Sequence, residues 1–169
     1  ALYDRNRDTL FLARDRLAVK PLFYALLDDG TLAFGSELKV LMQHPGLNRV
    51  LDPLAVEEYF ALGYVAEPRT IFVGAKKLGA GETLCIRRGE PLAEPKRYWD
   101  VRFTLDNPLS LEDATAELTA RLRESVRLRM ISEVPLGAFL SGGVDSSAVV
   151  AVMAGLSSSP VKTCSIGFD

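Results

Sequence analysis

Histidine and cysteine are scarce in this sequence, whose 169 residues include one histidine, His44, and two cysteines, Cys85 and Cys164. The cysteines lie in separate strand-like apolar segments and belong to no disulfide framework. This usage suits a reducing compartment and predicts a cytoplasmic protein in which both thiols are inert core residues. His44 lies in a His-Pro-Gly turn, which favours a surface position over a catalytic one.

Long apolar runs and a strong charge of one sign are also missing. No segment approaches the length that spans a bilayer, and no signal-peptide pattern is visible. The formal net charge is −2, whereas proteins that bind nucleic acid or an anionic membrane surface carry a basic footprint. The composition therefore predicts a protein with neither nucleic acid nor membrane as a partner.

An initiator methionine is absent as well, and residues 1–4 and 165–169 at the two ends are strand-like. Unpaired sheet edges are a liability for an independent domain. We therefore expect this chain to be a piece of a longer protein.

Residues 141–147, Ser-Gly-Gly-Val-Asp-Ser-Ser, are the main candidate for a functional site. Residues 136–140 before them predict a buried strand, and residues 148–156 after them predict a helix. In a strand, glycine-rich loop and helix of this kind, several backbone N–H groups converge on one anion at the positive end of the helix. Gly142 and Gly143 allow close approach of a phosphate and a positive φ.

The polar side chains of the same segment suit a pyrophosphate with Mg²⁺. Ser141, Ser146 and Ser147 add hydroxyl donors, and Asp145 adds a carboxylate that can hold Mg²⁺. The Gly-Lys-Ser/Thr ending of the Walker loop is absent, which excludes an ordinary P-loop nucleoside triphosphatase. The simpler alternative is a solvated loop in which Asp145 or a serine caps the next helix.

The remaining pattern predicts hairpins first and a βαβ unit later. Asp52 and Ser110 are predicted helix N-caps, and Pro53 suits a first helical position. The predicted strands are 9–15, 21–27, 31–36, 82–88, 136–140 and 160–166, and the predicted helices are 37–42, 53–62, 111–132 and 148–156.

Two groups of charged residues have both a structural and a functional interpretation. The first group is the arginines that flank the apolar stripe of the long helix, Arg121, Arg123, Arg127 and Arg129. They are interpreted as a solvated face rather than a phosphate patch.

The second group lies near the start of the chain and consists of Arg14, Asp15, Arg16, Lys20, Glu37 and Lys39. These residues are either catalytic or an ionic network at a domain interface, and the network is favoured.

Three motifs in order resemble the glutamine-dependent asparagine synthetase-like family. Residues 13–24, Ala-Arg-Asp-Arg-Leu-Ala-Val-Lys-Pro-Leu-Phe-Tyr, are similar to the late part of its glutaminase domain, and residues 34–39, Phe-Gly-Ser-Glu-Leu-Lys, to the segment that follows. Residues 133–140, Glu-Val-Pro-Leu-Gly-Ala-Phe-Leu, resemble the approach to its ATP-pyrophosphatase loop. Ala18 stands where the family usually has glycine, and Phe23 where tyrosine is common.

The resemblance implies a mixed α/β fold in two parts. Residues 1–105 would be the C-terminal part of an Ntn-type glutaminase α/β sandwich, ending in a linker over residues 103–108. Residues 106–169 would be the start of a parallel-sheet, nucleotide α-hydrolase-like ATP-pyrophosphatase domain.

The resemblance also implies a ligase that uses ATP and Mg²⁺. ATP activates a carboxylate, typically of aspartate, as an acyl-adenylate with release of pyrophosphate, and ammonia from glutamine then forms the amide. Asp145 would hold Mg²⁺, while Leu140 and Ile166 would contact the adenosine through backbone groups. The implied ATP and pyrophosphate contacts are Leu140, Ser141, Gly142, Gly143, Val144, Asp145, Ser146, Ser147, Ile166 and Gly167.

No catalytic residue is expected within the chain itself. The resemblance implies that the nucleophilic cysteine precedes Ala1, and that the acceptor pocket and general base follow Asp169. We therefore expect the isolated chain to be inactive, and the resemblance allows a homodimer of the full-length protein.

Several functions stay open at this point. Residues 59–64 resemble both asparagine synthetases and paralogous amidotransferases that act on other carboxylates, for instance in surface-polysaccharide gene clusters. A nucleotide-binding module without turnover is a third possibility. Enzymes of tRNA thiolation and NAD synthesis share the loop but lack a hairpin domain ahead of it, which disfavours them.

Overall fold

The computed structural model describes residues 1–104 and 108–167. The chain divides into two compact units, unit 1 (Ala1–Phe103) and unit 2 (Thr104–Asp169). Each unit combines strands with helices, which confirms the mixed α/β class. The predicted domain boundary between residues 105 and 106, three residues of the predicted linker and Asp169 lie outside the described residues.

Unit 1 is built from two antiparallel sheets and two helices in its described residues. Its elements are β1 (Leu2–Asp4), β2 (Thr9–Ala13), β3 (Phe23–Leu26), β4 (Leu32–Gly35), α1 (Leu38–Leu41), α2 (Pro53–Leu62), β5 (Lys76–Lys77), β6 (Glu82–Arg87) and β7 (Lys96–Arg97). The first sheet has the strand order β1-β2-β6-β7, and the second has the order β4-β3-β5. The predicted hairpin strands and their turn at residues 28–30 are confirmed.

The two sheets of unit 1 meet through an apolar cluster. Leu12 of β2 lies opposite Leu84 of β6 in the antiparallel register, and both are fully buried. Tyr24 of β3 belongs to the same cluster. The neighbouring Ala25 points to the other face of β3, because successive side chains alternate, and packs in a second cluster with Leu41 of α1. Unit 1 therefore has three layers: the β1-β2-β6-β7 sheet, the β4-β3-β5 sheet and helix α1.

Helix α2 shows how local signals set its ends. The Asp52 carboxylate accepts a 3.0 Å hydrogen bond from the Leu54 N–H, and Pro53 occupies the first turn, where its missing N–H costs nothing. Gly63 ends the helix at φ +79°, a left-handed conformation that glycine adopts readily. The predicted bounds, 53–62, are confirmed.

Unit 2 contains a βαβ unit preceded by a long helix. The elements are α3 (Leu111–Arg129), β8 (Gly137–Phe139), α4 (Val144–Leu156) and β9 (Lys162–Cys164), and β8 pairs with β9 in parallel. The Ser110 hydroxyl accepts from the Asp113 N–H at 3.1 Å, which confirms the predicted cap. Helices α3 and α4 pack together, with Val126 and Met153 buried.

Burial in unit 2 differs from the expectation. The strand predicted as buried is not buried: Phe139 keeps 77% of its full exposed surface, and Ala138 and Leu140 are half-buried. The apolar stripe of α3 is buried only at Val126, while Leu111 and Leu118 are exposed. Among the described elements α3 packs mainly on α4, and two paired strands of three residues each offer little surface to cover a helix.

Strands β5 and β7 were not predicted. Each contains two residues, Lys76–Lys77 and Lys96–Arg97, which carry no apolar alternation, so only the pairing with β3 and β6 defines them. Among the helices that the structure describes, none is both long enough and apolar enough to cross a membrane.

Candidate functional site

The candidate site lies at the carboxyl ends of β8 and β9. Phe139 is opposite Cys164 in the parallel register, and the Leu140 N–H donates to the Cys164 carbonyl at 2.9 Å. Because parallel strands end at the same edge of a sheet, residues 141–147 and residues 166–167 emerge side by side. The structure thus brings together the two segments that the sequence analysis assigned to one site.

Ser165 is a further residue at this edge, and the sequence analysis did not single it out. Its Oγ donates a 2.7 Å hydrogen bond to the Leu140 carbonyl, 25 positions away along the chain. No local pattern marks such a long-range hydrogen bond, so sequence reasoning had no signal for it.

The loop after β8 is held by hydrogen bonds among its own residues. Gly142 has φ +83°, where any side chain would be strained. The Gly143 carbonyl accepts from the Ser146 hydroxyl at 3.1 Å and from the Ser147 hydroxyl at 2.8 Å. The hydroxyls of Ser141 and Ser146 share a hydrogen bond of 3.1 Å. The serines therefore shape the loop in addition to presenting oxygen atoms at its surface.

Helix α4 begins at Val144, four residues before its predicted start, so residues 144–147 form its first turn. Its N-cap is Gly143, which has no side chain to cap the helix. In the part of the chain that the structure describes, the N–H groups of Val144, Asp145 and Ser146 have no hydrogen-bond partner. Such N–H groups at a helix N-terminus attract anions. The alternative in which Asp145 or a serine caps this helix is wrong.

Asp145 fits Mg²⁺ only as a single ligand. Its carboxylate is exposed in the first turn of α4. Residues 1–104 and 108–167 contain no group of three His, Cys, Asp or Glu side chains that could hold a metal ion by themselves. Mg²⁺ is often held by one or two carboxylates together with substrate phosphates and water, so this donor set suits a phosphate-bound Mg²⁺ and not a free-standing metal centre.

Arg14 and Asp15 in unit 1 are structural residues. Arg14 is buried and donates to the carbonyls of Ala18, Lys20 and Leu78 as well as to the Glu67 carboxylate. The Asp15 carboxylate accepts from backbone N–H groups within residues 17–20. All these partners lie inside unit 1, because the loop after β2 folds back on itself. The hydrogen bonds support the favoured structural role of both residues, and their place at a domain interface stays a prediction.

The other charged residues mostly pair with neighbours. Lys39 and Glu37 form an ion pair of 2.7 Å, while the Arg16 guanidinium lies 5.8 Å from the centre of the Trp99 ring. Arg121 pairs with Glu117 and Arg127 with Glu124, and all four side chains are largely exposed. These pairs confirm the solvated face of α3 for Arg121 and Arg127.

Both cysteines are exposed, so the prediction that they lie in the core is wrong. Cys85 follows the buried Leu84 in β6 and therefore points to the opposite face of its sheet. Cys164 is in β9, whose three residues are all exposed. His44 is half-buried in its turn, where its Nδ1 accepts from the Gly46 N–H at 3.2 Å.

Comparison with known proteins agrees with this two-part organisation. A family model described as "Glutamine amidotransferase domain" matches residues 1–99, and one described as "Asparagine synthase" matches residues 117–169. The first segment contains the two antiparallel sheets of unit 1, and the second contains the βαβ unit of unit 2.

Individual relatives match along most or all of the chain. Glutamine-hydrolyzing asparagine synthetase 3 of Bacillus subtilis is 35% identical over 100% of this chain and 28% of its own length. Putative glutamine-hydrolyzing asparagine synthetase 2 of Methanocaldococcus jannaschii is 37% identical over 99% of this chain and 33% of its own. Amidase chyE of Penicillium rubens is 33% identical over 92% of this chain and 23% of its own.

The chain spans about a quarter to a third of the length of these relatives. The glutamine amidotransferase model alone covers more than half of the chain. The chain therefore belongs to the glutamine amidotransferase family of the asparagine synthetase type.

Proposed function

We propose that this chain is part of an ATP-dependent, glutamine-using amide ligase, and that its own contribution is a site for ATP and pyrophosphate at the carboxyl edge of β8 and β9. The observation that carries the proposal is the start of α4. Three N–H groups without a partner among the described residues meet there beside the Asp145 carboxylate. An anion and its divalent counterion both find partners at such a place.

The reaction we propose has two steps. A carboxylate oxygen of the acceptor, aspartate in the leading case, attacks the α-phosphorus of ATP, and the bond from that phosphorus to the pyrophosphate oxygen breaks. Ammonia derived from glutamine then attacks the acyl carbon, and AMP leaves as the amide forms. Negative charge grows on the departing pyrophosphate in the first step, so donors already in position lower its barrier.

The residues of the loop have separate roles in this proposal. The N–H groups at the start of α4 receive the pyrophosphate, and Gly142, with φ +83°, leaves its approach free of a side chain. Bound Mg²⁺ would neutralise phosphate charge, with Asp145 as its protein ligand. Ile166 follows β9 beside the loop, where its backbone can meet the adenosine, and Gly167 comes next in the ATP site. The backbone N–H and C=O of Leu140, the other predicted adenosine contact, are already bonded to Cys164 and Ser165.

Neither exposed cysteine has a role in this proposal. The nucleophile that hydrolyses glutamine is expected outside the chain, as are the groups that bind the acceptor. A ligase that amidates a carboxylate other than aspartate is the second candidate, because the residues assigned here contact only ATP and pyrophosphate and do not distinguish between acceptors.

The test is the substitution Asp145→Ala in the complete protein that contains this chain. We expect acceptor-dependent release of pyrophosphate from ATP to fall by about 100-fold or more, while the glutaminase reaction continues. Glu112→Ala is the matched control, because Glu112 is also an exposed carboxylate in the first turn of a helix, α3. Normal pyrophosphate release by the Asp145 variant would overturn the assignment of the metal ligand.

A further inference from the structure

Ser165 lies where the backbone pairing of β8 and β9 stops. The last backbone hydrogen bond of the pair joins the Leu140 N–H to the Cys164 carbonyl. The Ser165 hydroxyl then donates to the Leu140 carbonyl at 2.7 Å. The Ser165 side chain thus links the segments that follow β8 and β9, one residue beyond the last backbone hydrogen bond between these strands.

The residue that this bond places is Ile166. Its backbone N–H and C=O have no hydrogen-bond partner within the described ranges 1–104 and 108–167, and its side chain is exposed. One backbone residue offers a donor and an acceptor side by side. An adenine base likewise presents an amino donor next to a ring-nitrogen acceptor, so the two edges are complementary.

The anion-binding loop does not depend on Ser165. Its hydrogen bonds run among Ser141, Gly143, Ser146 and Ser147, and the N–H groups at the start of α4 belong to the helix. Removal of the Ser165 hydroxyl should therefore leave the loop intact and loosen only the segment that follows β9.

We infer that Ser165 is a positioning residue for the adenosine part of the nucleotide. By tying the end of β9 to Leu140, its hydroxyl sets the Ile166 backbone at a defined place beside the pyrophosphate loop. This inference rests on the proposed function. Ser165 does not itself need to touch ATP, and it has no role in binding pyrophosphate.

The experiment compares three ligands, AMP, Mg·ATP and Mg·pyrophosphate, by calorimetric titration of the complete protein. Ser165→Ala should weaken AMP and ATP binding by about fivefold to tenfold, the value of one hydrogen bond. Pyrophosphate binding should change by less than about twofold. Ser165→Thr, which keeps the hydroxyl, should restore AMP binding.

A matched control is available in the same unit. The Ser157 hydroxyl donates to the Ser159 carbonyl at 2.8 Å after α4, away from the carboxyl edge of the sheet. Ser157→Ala removes a comparable bond and should leave the binding of all three ligands unchanged. If the alanine variant of Ser165 does not fold, Ser165→Cys serves instead, because a thiol of similar size donates only weakly.

Unchanged AMP affinity in the Ser165→Ala protein would overturn the inference, as would equal losses for AMP and pyrophosphate or a threonine variant that fails to restore binding. If the unsubstituted protein binds neither AMP nor pyrophosphate, the proposed function itself fails, and the role of Ser165 with it. Binding by the unsubstituted protein with no effect of Ser165→Ala leaves the proposed function standing. The two failures are therefore distinguishable.

Discussion

Arg14 and Glu67 form an ion pair across 53 positions of the chain, and the Arg14 side chain is only 6% exposed. The same guanidinium donates to the Lys20 carbonyl at 3.2 Å and to the Leu78 carbonyl. One buried side chain thus joins the loop after β2, the residue before Pro68 and the segment between β5 and β6. Its contacts are those of a residue that holds unit 1 together.

Arg14→Ala should lower the free energy of unfolding of unit 1 by about 3 kcal/mol, because it leaves three carbonyls and a carboxylate without their donor. Glu67→Gln should cost less, about 1 kcal/mol, since Glu67 is one-third exposed and its amide oxygen still accepts. Urea unfolding followed by the fluorescence of Trp99, the single tryptophan, measures both. A loss below about 1 kcal/mol for Arg14→Ala would contradict this role.

Ala18 adopts φ +54°, a left-handed conformation that side chains rarely take. Ala18→Gly should therefore stabilise unit 1 by about 0.5–1 kcal/mol, since relief of strain exceeds the entropy that glycine adds to the unfolded chain. Ala13→Gly in β2 is the control and should destabilise, because the strand gains only flexibility there. Thermal unfolding of the two variants should show shifts of opposite sign; two shifts of the same sign would refute the account of Ala18.

Asp15 should make the stability of unit 1 depend on pH. The N–H groups of Lys20, Val19 and Leu17 donate to its carboxylate and hold the pKa of Asp15 below its ordinary value. The unfolded chain then binds more protons than the folded one, so the stabilisation is present above the ordinary aspartate pKa of about 4 and is lost as the pH falls through the folded value.

Asp15→Asn tests this linkage, because it removes the proton equilibrium while keeping the shape of the side chain. The gap in unfolding free energy between the unsubstituted protein and the variant should be widest at neutral pH and should close as the pH falls below about 4, the ordinary aspartate pKa. Denaturant unfolding at several pH values measures the gap. A gap that stays constant with pH would exclude the linkage.

Alanine substitutions at Gly142 and Gly63 distinguish the effect of backbone strain on stability from the effect of an added side chain on ligand binding. Their φ angles are +83° and +79°, and an added Cβ at either position meets no described atom within 4 Å. Each change to alanine should cost about 1 kcal/mol of stability in its own unit. Gly142→Ala alone should also weaken the binding of Mg·pyrophosphate by about tenfold or more, because its Cβ would stand where the anion approaches. Equal binding by both variants would argue against the loop as the anion site.

The two ends of α2 were predictable from sequence because their causes are local, whereas the start of α4 and the end of α3 were each misplaced by three or four residues. Asp52, Pro53 and Gly63 act within one helical turn of the residues they constrain. The glycine and serine pattern of residues 141–147 likewise determines a loop that closes on its own hydrogen bonds. The mixed α/β class and the family of the chain were predicted from the resemblance of three motifs to a known family, and not from these local signals.

Burial was less predictable, because it depends on what packs against each element. An apolar stripe on α3 and a cysteine in a strand both suggested a core, yet Leu118 and Cys85 are exposed. The hydrogen bond of Ser165 joins residues 25 apart, and the partners of Arg14 extend to 64 positions away. Only the folded chain brings such residues together.

The products of ATP cleavage test the central claim most directly. In the complete protein, supplied with Mg²⁺, glutamine and an acceptor carboxylate, the account predicts one AMP and one pyrophosphate for each amide formed, and no ADP. Nucleotide chromatography together with a pyrophosphate assay measures both products in one reaction. Formation of ADP and phosphate with the amide would contradict the account, because cleavage would then occur at the γ-phosphate and no acyl-adenylate would form.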